Sequence, residues 1–406
     1  MNLKIGFVGL GKLGRDVAEV ISDYYDVVGY DINKEIKTKI KLAESLKDCV
    51  KDKDIVFIAV QTPHHPDYDG RHPTNHLTPK DFDYTIVKDV LKETDQFVTN
   101  KTLIVLISTV LPGTFRTQFQ QLIQNGRYIY NPYLIAQGTV KDDVVNPEMV
   151  ILGTEKGDNT SDSEMIINFY KKFVNTDTRY EVGTWEEAEG IKIFYNTFIT
   201  TKICLVNMIQ DCAERIPNMN CDVIANALMR SDKRILGPMY MKPGLGDGGG
   251  CHPRDNIALR WLSDEYGFNY DFFQNIIYTR DMQAKNMALK VLSFNKKNVV
   301  ILGKSFKPNV EQYEGSPSIL VGSYIEQLGG KVIYDEDPEN VDDILYLVCH
   351  PNKYIDYNFK KNSVVVDVWR QIFLVLKHCG CLPRGRTLSK FEKLENPLSP
   401  PSWTPE

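Results

Sequence analysis

No stretch of this 406-residue chain is apolar for long enough to cross a bilayer. The longest run, around Leu103 to Leu111, falls well short of the roughly 20 residues that a spanning helix needs. Long basic runs are missing too, and the net charge is −5, which argues against nucleic acid as the main partner. Cysteine pairs at metal-ligand spacing are absent. Cys49, Cys204, Cys212, Cys221, Cys251 and Cys349 are scattered, and Cys379-Gly-Cys381 is too tight for a zinc pair with no second pair beside it. No metal is therefore expected. Secretory leader character is lacking as well, because Met1-Asn-Leu-Lys-Ile-Gly-Phe-Val runs straight into a strand. Free thiols in a reducing cytoplasm fit this usage. What is present is an ordinary globular composition, 42% hydrophobic, over a length that suits two or three domains.

The first forty residues carry a specific pattern. The apolar run Leu3-Lys-Ile-Gly-Phe-Val predicts a buried strand, Gly9-Leu-Gly11-Lys-Leu-Gly14 follows it, and Arg15 to Ile21 has helical spacing. A second strand, Asp26-Val-Val-Gly-Tyr, ends on Asp31. G-x-G-x-x-G alone is weak, but between a strand and a helix, with an acid at the next strand's end, it reads as a dinucleotide-binding turn. Gly9 allows the tight turn, Gly11 the approach of a pyrophosphate, and Gly14 the packing of helix on strand. Asp31 would accept hydrogen bonds from ribose hydroxyls and repel a 2′-phosphate, so NAD is expected rather than NADP. Strands ending at Gln61-Thr62-Pro63 and at Ser108-Thr109-Val-Leu-Pro-Gly-Thr114 continue the alternation with helices. Ligands of doubly wound sheets bind at such strand ends, so Thr62, Ser108 and Thr109 either face cofactor or substrate or serve as turn residues.

Beyond Val150 the middle of the chain reads as helical: Trp185 to about Arg215, Cys221 to Arg230, and Asp264 to about Leu292. Lys192 and Asn196 share one face of the first of these helices. Between the second and third of these helical stretches lies Lys242-Pro-Gly-Leu-Gly-Asp-Gly-Gly-Gly-Cys251-His-Pro-Arg-Asp255, in which five glycines precede one cysteine and Pro253 can start a helix. A thiol near a helix N-terminus is favoured as thiolate, and Asp255 lies one turn on. A glycine-rich turn beside a small buried hydrophobe is the competing reading. Strands at Asn298–Gly303, Lys331–Asp335, Ile344–Val348 and Ser363–Asp367, with a helix from Ser316 to Leu328, form a second, smaller α/β region, and the Pro/Lys/Ser/Glu-rich end suggests a tail. The fold expected is α/β: two doubly wound parallel-sheet, Rossmann-like domains joined by a central helical segment. The boundaries expected are 1–180, 181–296, 297–376 and a tail 377–406.

This order of motifs resembles the UDP-glucose/GDP-mannose dehydrogenase family over about residues 1 to 370, most closely its UDP-glucose 6-dehydrogenase branch. The resemblance implies NAD at Gly9, Gly11, Gly14, Asp31, Thr62 and Thr109. It implies catalytic roles for Lys192, Asn196, Asp255 and Thr109, with Cys251 as nucleophile. Arg234, Lys242, Gly248, Phe306, Lys307 and Arg370, with Lys192 and Asn196, fall on substrate contacts. A nucleotide sugar such as UDP-glucose would be oxidised twice to a uronate, a polysaccharide precursor, by a cytoplasmic homodimer.

Two departures stand out. The family's N-P-E-F-L-x-E loop reads Asn131-Pro-Tyr133-Leu-Ile-Ala-Gln137, without either glutamate, and its R-E-S triplet reads Glu314-Gly-Ser316. A phenol and an amide are poor bases, so slow thioester hydrolysis is expected, unless Tyr133 meets a different sugar. A two-electron hydroxy-acid dehydrogenase of the 6-phosphogluconate type and a nucleotide-sugar binder that has lost catalysis are the competing functions.

Overall fold

The computed structural model describes residues 3–63, 78, 80–136, 138–237, 244–247, 249, 251–296, 298–335, 343–350, 352–369 and 372. The chain divides into two compact units, Met1–Asn207 and Met208–Glu406.

The first unit is built on β1 (Lys4–Val8), β2 (Asp26–Tyr30), β3 (Lys41–Leu42), β4 (Ile55–Ile58), β5 (Leu103–Leu106), β6 (Arg127–Tyr130), β7 (Met149–Thr154) and β8 (Arg179–Thr184). Their order in the sheet is β3-β2-β1-β4-β5-β6-β7-β8. Strands β1 to β6 pair in parallel. The direction reverses between β6 and β7, where Tyr130 faces Gly153, and β7 and β8 are parallel to each other. The helices of this unit are α1 (Gly14–Ile21), α2 (Leu46–Val50), α3 (Thr85–Asp95), α4 (Val140–Val145), α5 (Ser161–Tyr170) and the start of α6 (Trp185–Arg215).

The period of two explains why the central strands read as unbroken apolar runs. Ile5, Phe7, Ile55, Phe57, Leu103 and Val105 point to one face, where α1 and α5 supply Val17, Ile21 and Phe169. Val8, Val56, Ile58, Ile104 and Leu106 point to the other, against Leu46, Leu91 and Phe115. Each fully buried side chain of this kind contributes roughly 1.5–3 kcal/mol. The sheet's carboxyl edge thus collects the turns after β1, β4 and β5.

The second unit holds α7 (Cys221–Met229), α8 (Cys251–Glu265), α9 (Phe272–Leu292), α10 (Pro317–Gln327) and a four-stranded parallel sheet. Its strands are β9 (Asn298–Leu302), β10 (Lys331–Tyr334), β11 (Ile344–Val348) and β12 (Val364–Asp367), in the order β10-β9-β11-β12. Val299, Ile301, Leu345 and Leu347 pack on Ala288, Val291, Val321 and Ile325 of α9 and α10. The α/β class, with a large sheet parallel from β1 to β6, a second parallel sheet and a long central helix, is as expected.

The helical middle differs in detail. Helix α8 opens at Cys251, two residues ahead of Pro253, and the run expected from Asp264 is broken. Gly267 adopts φ +65° and its neighbour Phe268 donates to the Ser263 carbonyl, a left-handed helix stop. Asp271 then caps α9 by accepting the Gln274 N–H. Among the described residues no helix is long and apolar enough to cross a membrane, and no three His, Cys, Asp or Glu side chains group as metal ligands.

Candidate active site

The turn after β1 shows three glycines with three different tasks. Gly9 has φ +93°, donates its N–H to the Tyr30 carbonyl at 2.9 Å, and a Cβ on it would stand 2.7 Å from the Ala59 carbonyl oxygen. A Cβ on Gly14 would overlap the Gly9 carbonyl. One on Gly11 would meet nothing within 4 Å. No side chain caps α1, whose first-turn N–H groups are the natural partners of an anion. Asp31 accepts the Leu10 N–H on Oδ2 at 2.7 Å and the Asn33 N–H on Oδ1 at 2.9 Å, so the acid also braces the glycine turn. The open ledge at Gly11, the uncapped helix start and the acid fit the pyrophosphate and ribose of NAD.

Two hydroxyls at neighbouring strand ends are spent on the backbone. Thr62 donates to the Thr109 carbonyl at 2.9 Å and Ser108 to the Val60 carbonyl at 2.5 Å. These bonds stitch the turn after β4 to the turn after β5 and carry Thr109 between them.

Lys192 and Asn196 lie on α6, the former partly buried and the latter exposed. Burial lowers the Lys192 pKa below its usual value. Among the described residues no carboxylate pairs with Lys192. One turn before it stands Glu189, wholly buried, which sequence reasoning missed. Its Oε2 accepts the Gly113 N–H at 2.5 Å and its Oε1 the Phe115 N–H at 2.9 Å. Burial pushes its carboxyl up to about 7, against the pull of those two bonds. On a charged helix its only local signal was its i, i+3 spacing from Lys192.

Cys251 is exposed at the first position of α8 in the second unit, as the Pro253 signal suggested. The loop before it packs on the carboxyl end of the small sheet. A Cβ on Gly244 would overlap the Trp369 indole, and Gly249, at φ +97°, lies on the Phe306 ring. Arg254 donates to Asp255 Oδ1 at 2.9 and 2.8 Å and faces the Cys251 thiol as well. Phe306 and Lys307 follow β9, with the Lys307 ammonium 5.2 Å from the Phe306 ring centre. Arg234 is exposed in the turn after α7. Two groups absent from the sequence reading border this edge. Asp335 accepts the Gly303 and Lys304 N–H groups and the Tyr354 hydroxyl, and His350 hydrogen-bonds the Ser305 carbonyl at 2.7 Å. Gln137, Lys242, Gly248 and Arg370 lie outside the described residues.

Tyr133 faces inward. Its hydroxyl pairs with that of Tyr170 at 2.6 Å, Tyr170 donates to Asn131, and Asn131 donates to the Ile151 carbonyl. Burial drives the Tyr133 phenol well above its ordinary pKa. Tyr133 is therefore a hydrogen-bonded link in the β6–β7 region, and its phenol stays protonated at neutral pH.

A wound sheet with a glycine turn, an acid at the neighbouring strand's end and a lysine-bearing helix defines an NAD-dependent dehydrogenase. Matches to known families bear this out. The UDP-glucose/GDP-mannose dehydrogenase family's NAD binding domain matches residues 34–174 and its central domain residues 186–281, together more than half of the chain. The chain belongs to this family and is an NAD-binding oxidoreductase of the nucleotide-sugar dehydrogenase type. It is 26% identical over 338 residues to a UDP-glucose 6-dehydrogenase of Rickettsia prowazekii, covering 78% of this chain and 75% of that one. Its identity to one from Bacillus subtilis is 29% over 286 residues, covering 69% and 61%. A GDP-mannose dehydrogenase from Pseudomonas aeruginosa, solved as a ternary complex, shares the fold with a TM-score of 0.77 at 18% identity, over 90% of this chain and 96% of that one.

The three glycines separate two failures. Gly14→Ala is expected to lower the melting temperature and weaken NAD⁺ binding together, because its Cβ has no room. Gly11→Ala is expected to melt within a few degrees of wild type while losing about tenfold or more in NAD⁺ affinity, since a lost close approach of this kind costs ~1.4 kcal/mol or more. Calorimetry of both variants checks this, and equal NAD⁺ affinity for wild type and Gly11→Ala contradicts the assignment.

Proposed function

We propose that this chain oxidises the 6-hydroxymethyl group of a UDP-sugar, UDP-glucose first among candidates, to the carboxylate. The observation that carries the reading is Cys251 at the start of α8, behind glycines that pack on Phe306 and Trp369. That arrangement suits a nucleophile and has no use in a two-electron hydroxy-acid dehydrogenase. An intact glycine turn and Lys192 likewise speak against a non-catalytic binder.

Gly9, Gly11, Gly14 and Asp31 would hold NAD⁺, with Thr62 and Thr109 at its nicotinamide side. Bound there in turn, two NAD⁺ would supply the oxidant, one for each of two successive two-electron oxidations. The Cys251 thiolate adds to the aldehyde carbon produced by the first oxidation, giving a thiohemiacetal, and the second oxidation leaves a thioester on the same sulfur. The Lys192 ammonium stabilises negative charge developing on the substrate oxygen, and Asn196 donates a hydrogen bond to that oxygen or to the attacking water. Asp255, released from Arg254, takes a proton from the water that frees the acid. Phe306, Lys307, Arg234, Lys242, Gly248 and Arg370 hold the nucleotide sugar.

The overall stoichiometry tests this. Absorbance at 340 nm is expected to show two NADH per UDP-glucose, and Cys251→Ala is expected to abolish uronate formation while NAD⁺ still binds. One NADH per substrate, or uronate from the variant at a comparable rate, contradicts the proposal.

Tyr133 makes the last step slow. With its phenol committed to Tyr170 and no carboxylate at 133 or 137, Asp255 is left without a second carboxylate to help handle the water, and a general base is typically worth about 10²–10⁴-fold. Rapid mixing is expected to show a burst of NADH, up to two per active site, before a slower steady rate. A linear trace from the first turnover would contradict slow hydrolysis.

The exposed apolar side chains support a homodimer. Phe194, Phe198, Ile199 and Ile203 line α6 at helical spacing, with Phe194 69% exposed. Helix α7 buries no residue and α8 only Ser263, although Val223, Ile257 and Trp261 stand on them. A second copy of the chain covers such faces. Light scattering is expected to give twice the monomer mass, and Phe198→Asp with Ile203→Asp to give the monomer. A monomeric wild type at tens of micromolar contradicts it.

A further inference from the structure

Glu189 is a buried acid that the chemistry proposed above leaves without a role. Its surroundings are apolar or aromatic on most sides: Phe115, Tyr128, Tyr130 and Trp185 all belong to the same core. The titratable and charged groups around it are few. On α6 itself stand Glu186 and Lys192, and Glu186 is ion-paired with Arg116 of the turn after Thr114. Tyr128 and Tyr130 approach from β6, the former with a buried hydroxyl that has no partner among the described residues. Tyr84, at the start of α3, reaches the same loop through Leu111 and Thr114. No cation among the described residues forms an ion pair with Glu189, so its carboxyl is held by backbone N–H groups alone.

Those groups belong to one loop. Gly113 and Phe115 bracket Thr114, and Gly113 takes φ +90°, a conformation that leaves its N–H aimed at α6. At its other end the loop is tied to the turn after β4, through the Thr62 hydroxyl on the Thr109 carbonyl and the Ser108 hydroxyl on the Val60 carbonyl. Thr109 lies between the two anchors. Lys192 lies one turn beyond Glu189 on the same face of α6. A displacement of the loop therefore pulls on the helical turn that presents the lysine.

We propose that Glu189 is a positioning residue for the dehydrogenase site: by holding Gly113 and Phe115 it fixes the Ser108–Thr114 loop, and Thr109 with it, to the α6 turn that carries Lys192. The inference rests on the role assigned to that lysine under the proposed function. The grip depends on the proton. Ionised, Glu189 accepts both N–H groups; protonated, one oxygen carries a hydrogen that faces a donor, and one anchor loosens. With the carboxyl raised to about 7, the change falls at neutral pH. The fold favours the protonated form, so this group's stabilisation is complete below the unfolded carboxylate's pKa, about 4.3, and is lost as pH rises through about 7, while the loop's grip is gained near 7.

Two measurements on the full chain test it. In wild type, amide hydrogen exchange corrected for its intrinsic pH dependence is expected to show protection of Gly113 and Phe115 rising between pH 6 and 8. Glu189→Gln removes the inflection and leaves protection low. In turnover with UDP-glucose, Glu189→Gln is expected to lower kcat/KM for NAD⁺ at pH 8 by about tenfold or more, as small misplacements can cost up to roughly 10²-fold, and to flatten its pH profile near 7. The control Glu186→Gln keeps that inflection. Wild-type protection that does not change with pH overturns the proposal even if Glu189→Gln fails to fold. So does a folded Glu189→Gln with the wild-type pH profile and a loss in melting temperature alone. Absence of any NADH from wild type would instead contradict the functional reading, because the exchange measurement needs no substrate.

Discussion

A carboxylate at the end of one strand, holding backbone N–H groups of the turn that follows its neighbour, organises both units of this protein. Asp31, after β2, accepts the Leu10 N–H from the turn after β1. Asp335, after β10, accepts the Gly303 and Lys304 N–H groups from the turn after β9. Each turn contains a glycine in the left-handed region, Gly9 at φ +93° and Gly303 at +103°. The parallel register places acid and turn side by side at the sheet's carboxyl edge, where α/β folds bind ligands. In the first unit this constraint leaves Gly11 open and Asp31 beside it. In the second it presents Phe306, Lys307 and His350 at the edge on which the cysteine loop rests.

Glu189 extends the same device to a helix. A carboxylate once more holds main-chain donors of a strand-end loop, but here it comes from α6 and ties the loop to the element bearing Lys192. Tyr133 shows the converse. At position 133, where the family resemblance implies a glutamate, this chain has a phenol bound to Tyr170 and, through it, to Asn131 and the Ile151 carbonyl. The phenol's hydroxyl thus belongs to a chain of side-chain hydrogen bonds that ends on the β7 backbone.

How far the sequence disclosed all this follows from how local each signal is. The glycine turn, the acid closing β2, the long helix through Lys192 and the helix start at Cys251 are dictated by residues within a few positions of one another. Four-residue strands such as Ile55–Ile58 were legible because burial on both faces makes them uniformly apolar. Strands β3, β6 and β8 were not singled out, since Lys41–Leu42, Arg127–Tyr130 and Arg179–Thr184 carry polar or exposed residues that only pairing in the sheet explains. Glu189 and Tyr133 were illegible in their roles for the same reason: their partners lie 74 and 37 residues away in sequence. A glutamate among glutamates at 186 and 187 gives no hint that it alone is buried.

In the proposed reaction Cys251 carries the substrate between its two oxidations and through its release. Rapid quenching of enzyme, NAD⁺ and UDP-glucose during the first turnovers, followed by intact mass and peptide mapping, tests it directly. One adduct per chain is expected, with the mass of the UDP-uronyl group bound as a thioester, on the peptide that contains Cys251. Two NADH formed per sugar with no adduct there, or with the adduct on another residue, would contradict it.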